Sequence, residues 1–520
     1  MFKRFVFLFL VGSLLINNTA AQTPTWNADV ANIVFNNCSS CHHVGGIAPF
    51  ALMSYGDAVL YAPIMESAIV DGTMPPWPPD PEYVHFKDER VLSETEINTL
   101  LDWLNEGRPE GDGSPPSPPV FTIGSQLSST DHTLNTPEYT VVELEDEYRT
   151  FVIPSGLTET KYINTIEYLI GNPAIVHHIL LWQDTSDVSM NLDLADPAPG
   201  FASNGAMAPS EFTKMIGAWA PGDKIDRLPL GMGLEVNAGA DLVIEFHYAQ
   251  GSEGQTDATE INFEFSETAF TRPVWVDPIL YHFAPCFQEP LFYIPANTVQ
   301  TFHEIFDEEY DYDLSFISAA PHMHNIGTSF RAYAKTPLND SIPLININNW
   351  DFHWQGGYTY QKLVKIPKNT KLYGIANYDN TSANPNNPSD PPVDVWLGEE
   401  TTDEMMLCFF AYTFYLPGDE NVILDSALLE TAINDPENIL FFSIHPNPVS
   451  AELQIVNQNP EGKDYKIKIV DVYGKIILED NMQFQTIKKL NIADIASGIY
   501  FLLIEDNNKI FTEKFIKLNP

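Results

Sequence analysis

Ile175-Val176-His177-His178-Ile179-Leu180-Leu181 is an aliphatic run with two adjacent histidines at its centre. Its branched residues predict a strand. Similar short runs recur at Tyr139-Thr140-Val141-Val142, Thr150-Phe151-Val152-Ile153, Leu242-Val243-Ile244-Glu245-Phe246-His247 and Ser329-Phe330-Arg331-Ala332-Tyr333. Gly, Pro, Asn and Asp separate them. Many short strands at this spacing predict β-sandwiches or jelly rolls. The stretch from about 120 to 430 is long enough for two, with a join near 270–285.

The rest of the chain supports a multidomain, mainly β protein. Its 520 residues exceed one ordinary core. Forty prolines argue against a mainly helical fold. The formal charge of −44 gives a solvated acidic surface that repels phosphate backbones, so no nucleic-acid partner is expected. The acidic run Asp307 to Asp313 reads as a solvated loop.

Residues 1–21 read as a signal peptide. Lys3 and Arg4 form its charged start, Phe5 to Ile16 its apolar stretch, and Thr19-Ala20-Ala21 its small-residue cleavage site. The apolar run is too short for a membrane span, so the mature protein is expected to be secreted or held at the cell surface without spanning the membrane.

Residues 22–108 predict a small helical domain. Ser93 with Glu96 forms a capping-box pattern. Cys38-Ser39-Ser40-Cys41-His42 is a covalent haem motif: two thiols add to the haem vinyl groups and His42 is placed beneath the iron. Met74, in a proline-stiffened loop, is the first candidate for the sixth ligand, with Met53 and His43 behind it. With Ala48-Pro49-Phe50 and Met74-Pro75-Pro76-Trp77, the segment resembles the small class I cytochrome c domains fused to periplasmic oxidoreductases. Residues 109–119, rich in Pro and Gly, read as a linker.

A widely spaced series of metal-ligating side chains follows: His177-His178, His247, His322-Met323-His324 and Met405. His322 and His324 share one face of a strand. His177 and His178 point to opposite faces of a regular strand, so a shared metal requires a bend, a bulge or a sheet edge. The elements are His-His before an aliphatic run, a single His in Phe246-His247-Tyr248, His-x-His, and Asp403-Glu404-Met405 after an Asn/Pro-rich loop. In this order they resemble the copper type II, ascorbate-dependent monooxygenases, the peptidylglycine α-hydroxylating and dopamine β-monooxygenase family.

That resemblance implies two jelly-roll domains, 120–280 and 281–425, facing each other across an open cleft. It implies an electron-transfer copper on His177, His178 and His247, and a catalytic copper on His322, His324 and Met405. Imidazoles suit copper in both oxidation states and a thioether favours Cu(I). Met406 adjoins Met405 and stays an alternative ligand. Two residues before His322, where peptide-hydroxylating relatives place an arginine for the substrate carboxylate, this chain has Ala320. A peptidylglycine substrate is therefore not implied. Cys286 and Cys408 are left as one disulfide, the state expected in an oxidising compartment, or as two buried thiols. His85, His132, His282, His303, His353 and His445 read as structural or exposed.

After a connector at 426–438, residues 439–520 change composition. His445-Pro446-Asn447-Pro448-Val449-Ser450, Gly474-Lys475-Ile476-Ile477, Ser497-Gly498-Ile499-Tyr500-Phe501-Leu502 and Lys514-Phe515-Ile516-Lys517 resemble the type A sorting domain of the type IX secretion system. The resemblance implies a small β-sandwich that engages the secretion machinery.

The expected function is an exported copper monooxygenase acting on a small-molecule or peptide substrate. It would hold two copper ions and haem c, with ascorbate or another external electron donor. The alternative is a surface electron-transfer or copper-binding protein without oxygenase activity.

Overall fold

The computed structural model describes residues 23–121, 124–127, 129–203, 212–266, 271–425, 442–445, 449–457, 464–471, 476–483, 487–505 and 510–518. The predicted signal peptide and the 426–438 connector lie outside the described residues. The chain is mainly β. It divides into two compact units, Met1–Asp425 and Ser426–Pro520.

In the first unit, helices Ala31–Asn37, Tyr55–Leu60, Ala62–Val70 and Glu94–Asn105 surround a small core that includes Trp26, Val34, Met65 and Trp103. Ser93 and Glu96 form the reciprocal cap that their spacing predicts. The segment after Met74 departs from the expected domain. Residues 77–90 leave the helices and run as a strap along the β layers. The Asp80 N–H donates to the Asn346 carbonyl at 2.8 Å and the Lys87 N–H to Thr359 at 2.7 Å. Phe86 is fully buried in the core of the second sandwich, stacked on Tyr360. The linker is anchored as well. Pro109 accepts from the Trp26 N–H and the Trp103 indole, and Gly111 and Gly113 accept from the Asn27 side chain.

The β part is two sandwiches that share a sheet. A nine-stranded sheet runs from His132–Asn135 through Glu260–Phe265, Lys161–Leu169, Met232–Val236, Arg272–Tyr281, Leu407–Phe414 and Leu314–His322 to Tyr358–Ile366, with Asp226–Arg227 beside it. One half faces a five-stranded sheet centred on Asp241–Tyr248, between Glu147–Pro154 and Val176–Asp184. Their shared core includes Phe151, Ile179, Ile244, Ile261 and Phe263. The other half faces the sheet of Thr298–Phe306, Lys371–Asn380, Gly327–Lys335 and Ser341–Ile347, closing over Phe302, Phe316, Phe330, Tyr378 and Phe410. The join expected near 270–285 is a shared strand. Arg272–Tyr281 pairs parallel with Met232–Val236 and antiparallel with Leu407–Phe414.

Cys286 and Cys408 are free thiols in the core of the second sandwich, the second of the two states left open by the sequence. Their sulfurs turn to separate backbone carbonyls, Ile279 and Phe409. At the shared strand, the Arg272 guanidinium meets the Asp419 carboxylate at 2.6 and 3.2 Å, and Asp419 also accepts from Ser315 at 2.6 Å. Removing one partner strands a buried charge. Arg272→Ala is therefore expected to lower unfolding free energy by about 3–5 kcal/mol in denaturant melts. Asp419→Ala added to it is expected to cost much less than a second such loss.

In the second unit, Phe442–His445, Glu452–Asn457 and Ile487–Asn491 form one sheet, and Ile476–Gln483, Asp464–Asp471, Gly498–Glu505 and Ile510–Lys517 another. Alternate residues such as Leu453, Ile455, Ile467, Ile469, Leu502 and Ile504 build their common core. This is a small β-sandwich. No described helix is long and apolar enough to cross a membrane.

Candidate metal centres

The bulge that His177 and His178 require is present. His247 pairs with His178, but Tyr248 pairs with Val176, leaving His177 as the extra residue of its strand. The distortion turns both imidazoles toward His247. His177 Nδ1 lies 3.1 Å from His178 Nδ1, which lies 3.4 Å from His247 Nδ1. One nitrogen from each of the three residues lies within 4.8 Å of the others. A metal about 2.0–2.1 Å from each nitrogen in tetrahedral geometry holds them about 3.3 Å apart. The spacing fits a single ion.

The outer side of the cluster is built to orient the rings. His247 Nε2–H donates to Asp146 at 3.0 Å, which fixes Nδ1 as its lone-pair nitrogen. Tyr148 stacks on His247 at 4.4 Å. Burial raises the Asp146 carboxyl, but the hydrogen bond from His247 helps bring it below the usual range. Burial, then the neighbouring imidazoles, pushes His177 down to about 3 and His178 well below its ordinary value, so both stay neutral.

His322 and His324 lie with ring centroids 5.1 Å apart at the end of Leu314–His322. His322 Nδ1–H donates to Gln355 Oε1 at 2.7 Å, and His324 Nδ1–H to the Asp403 carbonyl at 3.1 Å. Each ring thus keeps Nε2 as its lone-pair nitrogen. His322 Nε2 is buried with no partner. Burial lowers His322 to about 4 and His324 to about 3.

Packing tells Met405 from Met406. The ladder ends where His322 pairs with Leu407. Met323 and Met406 are both in the core of the second sandwich, with Cys408 and Phe410. Met405, 2% exposed, is outside that core, and its N–H shares the Glu404 carboxyl with the His324 N–H. The Tyr378 hydroxyl donates to its carbonyl at 2.6 Å.

Phe352 lies between the two clusters. The Phe352 ring contacts both His177, at 5.5 Å between centroids, and His324, at 6.0 Å. Thr401 Oγ1 donates to Asp146 at 3.3 Å, joining the Met405 loop to the first cluster.

Glu404 fixes the second cluster. Its buried carboxyl accepts the N–H groups of His324 and Ile326 at 2.8 Å and of Met405 at 3.2 Å. Burial pushes it up to about 8 against the pull of these donors. Glu404→Ala strands them at about 1–3 kcal/mol each. It is expected to lower thermal stability by several kcal/mol and to weaken copper retention at His322 and His324 more than at His247. Asp146, Gln355 and Phe352 carry no spacing signal in the sequence, and Glu404 appears there only as a neighbour of Met405.

At the helical segment, Cys38 and Cys41 are free and flank one turn, with the His42 N–H bonded to the Cys38 carbonyl at 3.0 Å. His42 Nδ1–H donates to the Phe50 carbonyl at 2.9 Å, leaving Nε2 for a ligand. Val44, Leu60, Ile64 and Val70 are exposed apolar residues of the same segment. This donor set and apolar surface fit a covalent haem. Met74 is 36% exposed at the head of its loop, and the structure records no contact between it and His42 among the described residues.

The C-terminal unit has the strand pattern expected of a sorting module, and a family match decides it. Residues 443–518 match the secretion system C-terminal sorting domain family. The protein is thus exported, to the cell surface or the medium, by the type IX machinery. No curated protein matches the chain. Solved structures align at low similarity. Faecalibacterium prausnitzii β-glucuronidase has 10% identity over 42% of this chain and 37% of its own, with a TM-score of 0.14. A peptide-N(4)-(N-acetyl-β-D-glucosaminyl)asparagine amidase has 9% identity over 55% of this chain and 97% of its own, at 0.23. The chain thus spans little more than a third of the β-glucuronidase. TM-scores this low establish no shared fold.

Proposed function

We propose that this protein is an exported copper-dependent monooxygenase that hydroxylates a C–H bond of a small-molecule or peptide substrate with dioxygen, taking electrons from an external donor through a haem c. The observation that carries the reading is two unlike donor sets meeting at Phe352. One is three converging Nδ1 atoms, and the other is two freed Nε2 atoms with a buried methionine whose N–H shares the Glu404 carboxyl with His324. Bound copper would supply one-electron redox chemistry and dioxygen activation, and haem an entry point for electrons.

The chain's own residues prepare those sites. His177, His178 and His247 would hold the electron-transfer ion, and His322, His324 and Met405 the catalytic one. Cys38, Cys41 and His42 would hold the haem, with Met74 as the candidate sixth ligand. Burial keeps His177, His178, His322 and His324 in the neutral, metal-binding form. Asp146, Gln355 and the Asp403 carbonyl hold the protons on the outer nitrogens. Ala320 supplies no cation for a substrate carboxylate, so recognition falls to other groups.

Metal analysis with absorption and EPR spectra of the purified protein tests the reading. A Soret band and about two type 2 copper ions per chain are expected. Zinc alone would sink the mechanism. Redox cycling of haem and copper without substrate-linked oxygen use would instead assign the protein to surface electron transfer.

A further inference from the structure

One short segment touches both candidate metal centres. Residues 350–355 connect strands Ser341–Ile347 and Tyr358–Ile366 of the second sandwich. Their hold on the second centre is made of hydrogen bonds. The Trp350 indole donates to the His324 carbonyl at 3.2 Å, and Gln355 Oε1 accepts from His322 Nδ1 at 2.7 Å. Their reach to the first centre is made of rings. Phe352 lies nearly parallel to His177, at 18° and 5.5 Å, and His353 meets the same imidazole edge-on at 6.4 Å. Phe352 also meets His324 edge-on, at 87° and 6.0 Å.

The turn is tied to itself as well. Asp351 Oδ1 accepts from the His353 N–H at 3.0 Å, and the Asp351 carbonyl accepts from the Trp354 N–H at 3.1 Å. Gln355 Nε2 donates to the Phe352 carbonyl at 3.0 Å. One amide side chain thus joins the His322 ring to the backbone that carries Phe352. An imidazole that takes an ion aims its lone pair at it, which fixes the ring. Close-packed side chains move together, not singly. His177 and His324 contact one phenyl ring, so a ring fixed at one centre restricts the ring at the other. Phe352 has no donor atom, so this role is mechanical.

We propose that Phe352 couples the two metal centres. It is a positioning residue through which an ion on His322 and His324 tightens the hold of His177, His178 and His247 on theirs. This rests on the two-centre reading given above. Two cations also repel, but that repulsion stays when the phenyl ring is removed. The difference made by the ring is therefore the quantity to measure.

Copper affinity of the first centre, from chelator competition on the intact protein, tests the proposal. The EPR signal of that centre is the one that His247→Ala removes. Four proteins are compared: wild type, Phe352→Leu, His322→Ala and the double variant. With the second centre filled, Phe352→Leu is expected to weaken the first centre about 5-fold or more. In the His322→Ala background the same change is expected to cost less than about 2-fold, the scatter of independent sites. Phe352→Tyr, which keeps the ring, is expected to retain wild-type affinity. Equal weakening in both backgrounds means that Phe352 only supports the first centre, and it overturns the coupling. Wild-type affinity in Phe352→Leu overturns it too. Both of those results leave two copper ions bound and the two-centre reading standing. Wild-type protein that binds copper at neither centre removes that reading and this proposal with it.

Discussion

Met405→Ala is expected to cut substrate-dependent oxygen uptake by at least about 100-fold, since loss of outer partners of metal ligands alone costs 10–100-fold. Copper at His177, His178 and His247 is expected to remain, so total copper falls by no more than the share of the second site. The neighbouring methionine supplies the control. Met406 lies in the core with Met323 and Cys408, and Met406→Ala is expected to cost about 2–5 kcal/mol of stability. Oxygen uptake per bound copper is expected to survive in that variant. The two substitutions thus separate along different axes, activity for Met405 and stability for Met406. Both are buried, so a packing role common to both would give two similar losses of stability and no difference in uptake per copper. That outcome would remove Met405 from the ligand set.

The packing makes this test sharper than the amino-acid sequence alone allows. Asp403-Glu404-Met405-Met406 offers two thioethers with nothing to choose between them locally. The difference appears only in the fold, where Met406 joins the core with Met323 and Cys408 and Met405 does not. The sandwiches themselves are legible because alternation and strand length are local properties. The need for a bend, a bulge or a sheet edge at His177-His178 is legible for the same reason, since two adjacent residues of a regular strand point to opposite faces.

The strap at residues 77–90 is different. Its prolines and mixed polarity mark a loop, and Phe86 has no local reason to be buried. Its burial comes from Tyr358 and Tyr360, contributed from far along the chain. The shared strand Arg272–Tyr281 is hidden likewise, because sheet membership is set by partners and not by the strand's own composition. Asp146 and Gln355 are single polar residues whose meaning depends on the ring they face. The anchored linker follows the same logic. Its glycines and prolines predict a free chain, but their carbonyls satisfy Asn27, Trp26 and Trp103.

The buried imidazoles are expected to draw down the stability of the metal-free protein as pH falls from about 6.5 toward about 4. Burial is the main cause, followed for most of these rings by neighbouring imidazoles. It holds His177 and His324 near 3 and His322 near 4, and it holds His178 well below its ordinary value. In the unfolded chain the same groups titrate near the ordinary value of about 6.5. Between those limits these four rings bind more protons in the unfolded state than in the folded one, so their contribution to unfolding free energy falls as protons are added. Each contributes about 1.4 kcal/mol per pH unit, and the buried Glu404 and Glu304 carboxyls, held above their ordinary values, offset part of the sum with the opposite sign. Denaturant melts from pH 7.5 to 4.5 measure the slope directly. His322→Ala is expected to reduce it by about one proton's worth. Copper binds only the neutral rings, so loading the protein is expected to move the acid transition to lower pH. A slope unchanged by His322→Ala would mean that the ring is already solvated and protonated in the folded state. Such a ring could not offer the free Nε2 on which the second metal centre depends.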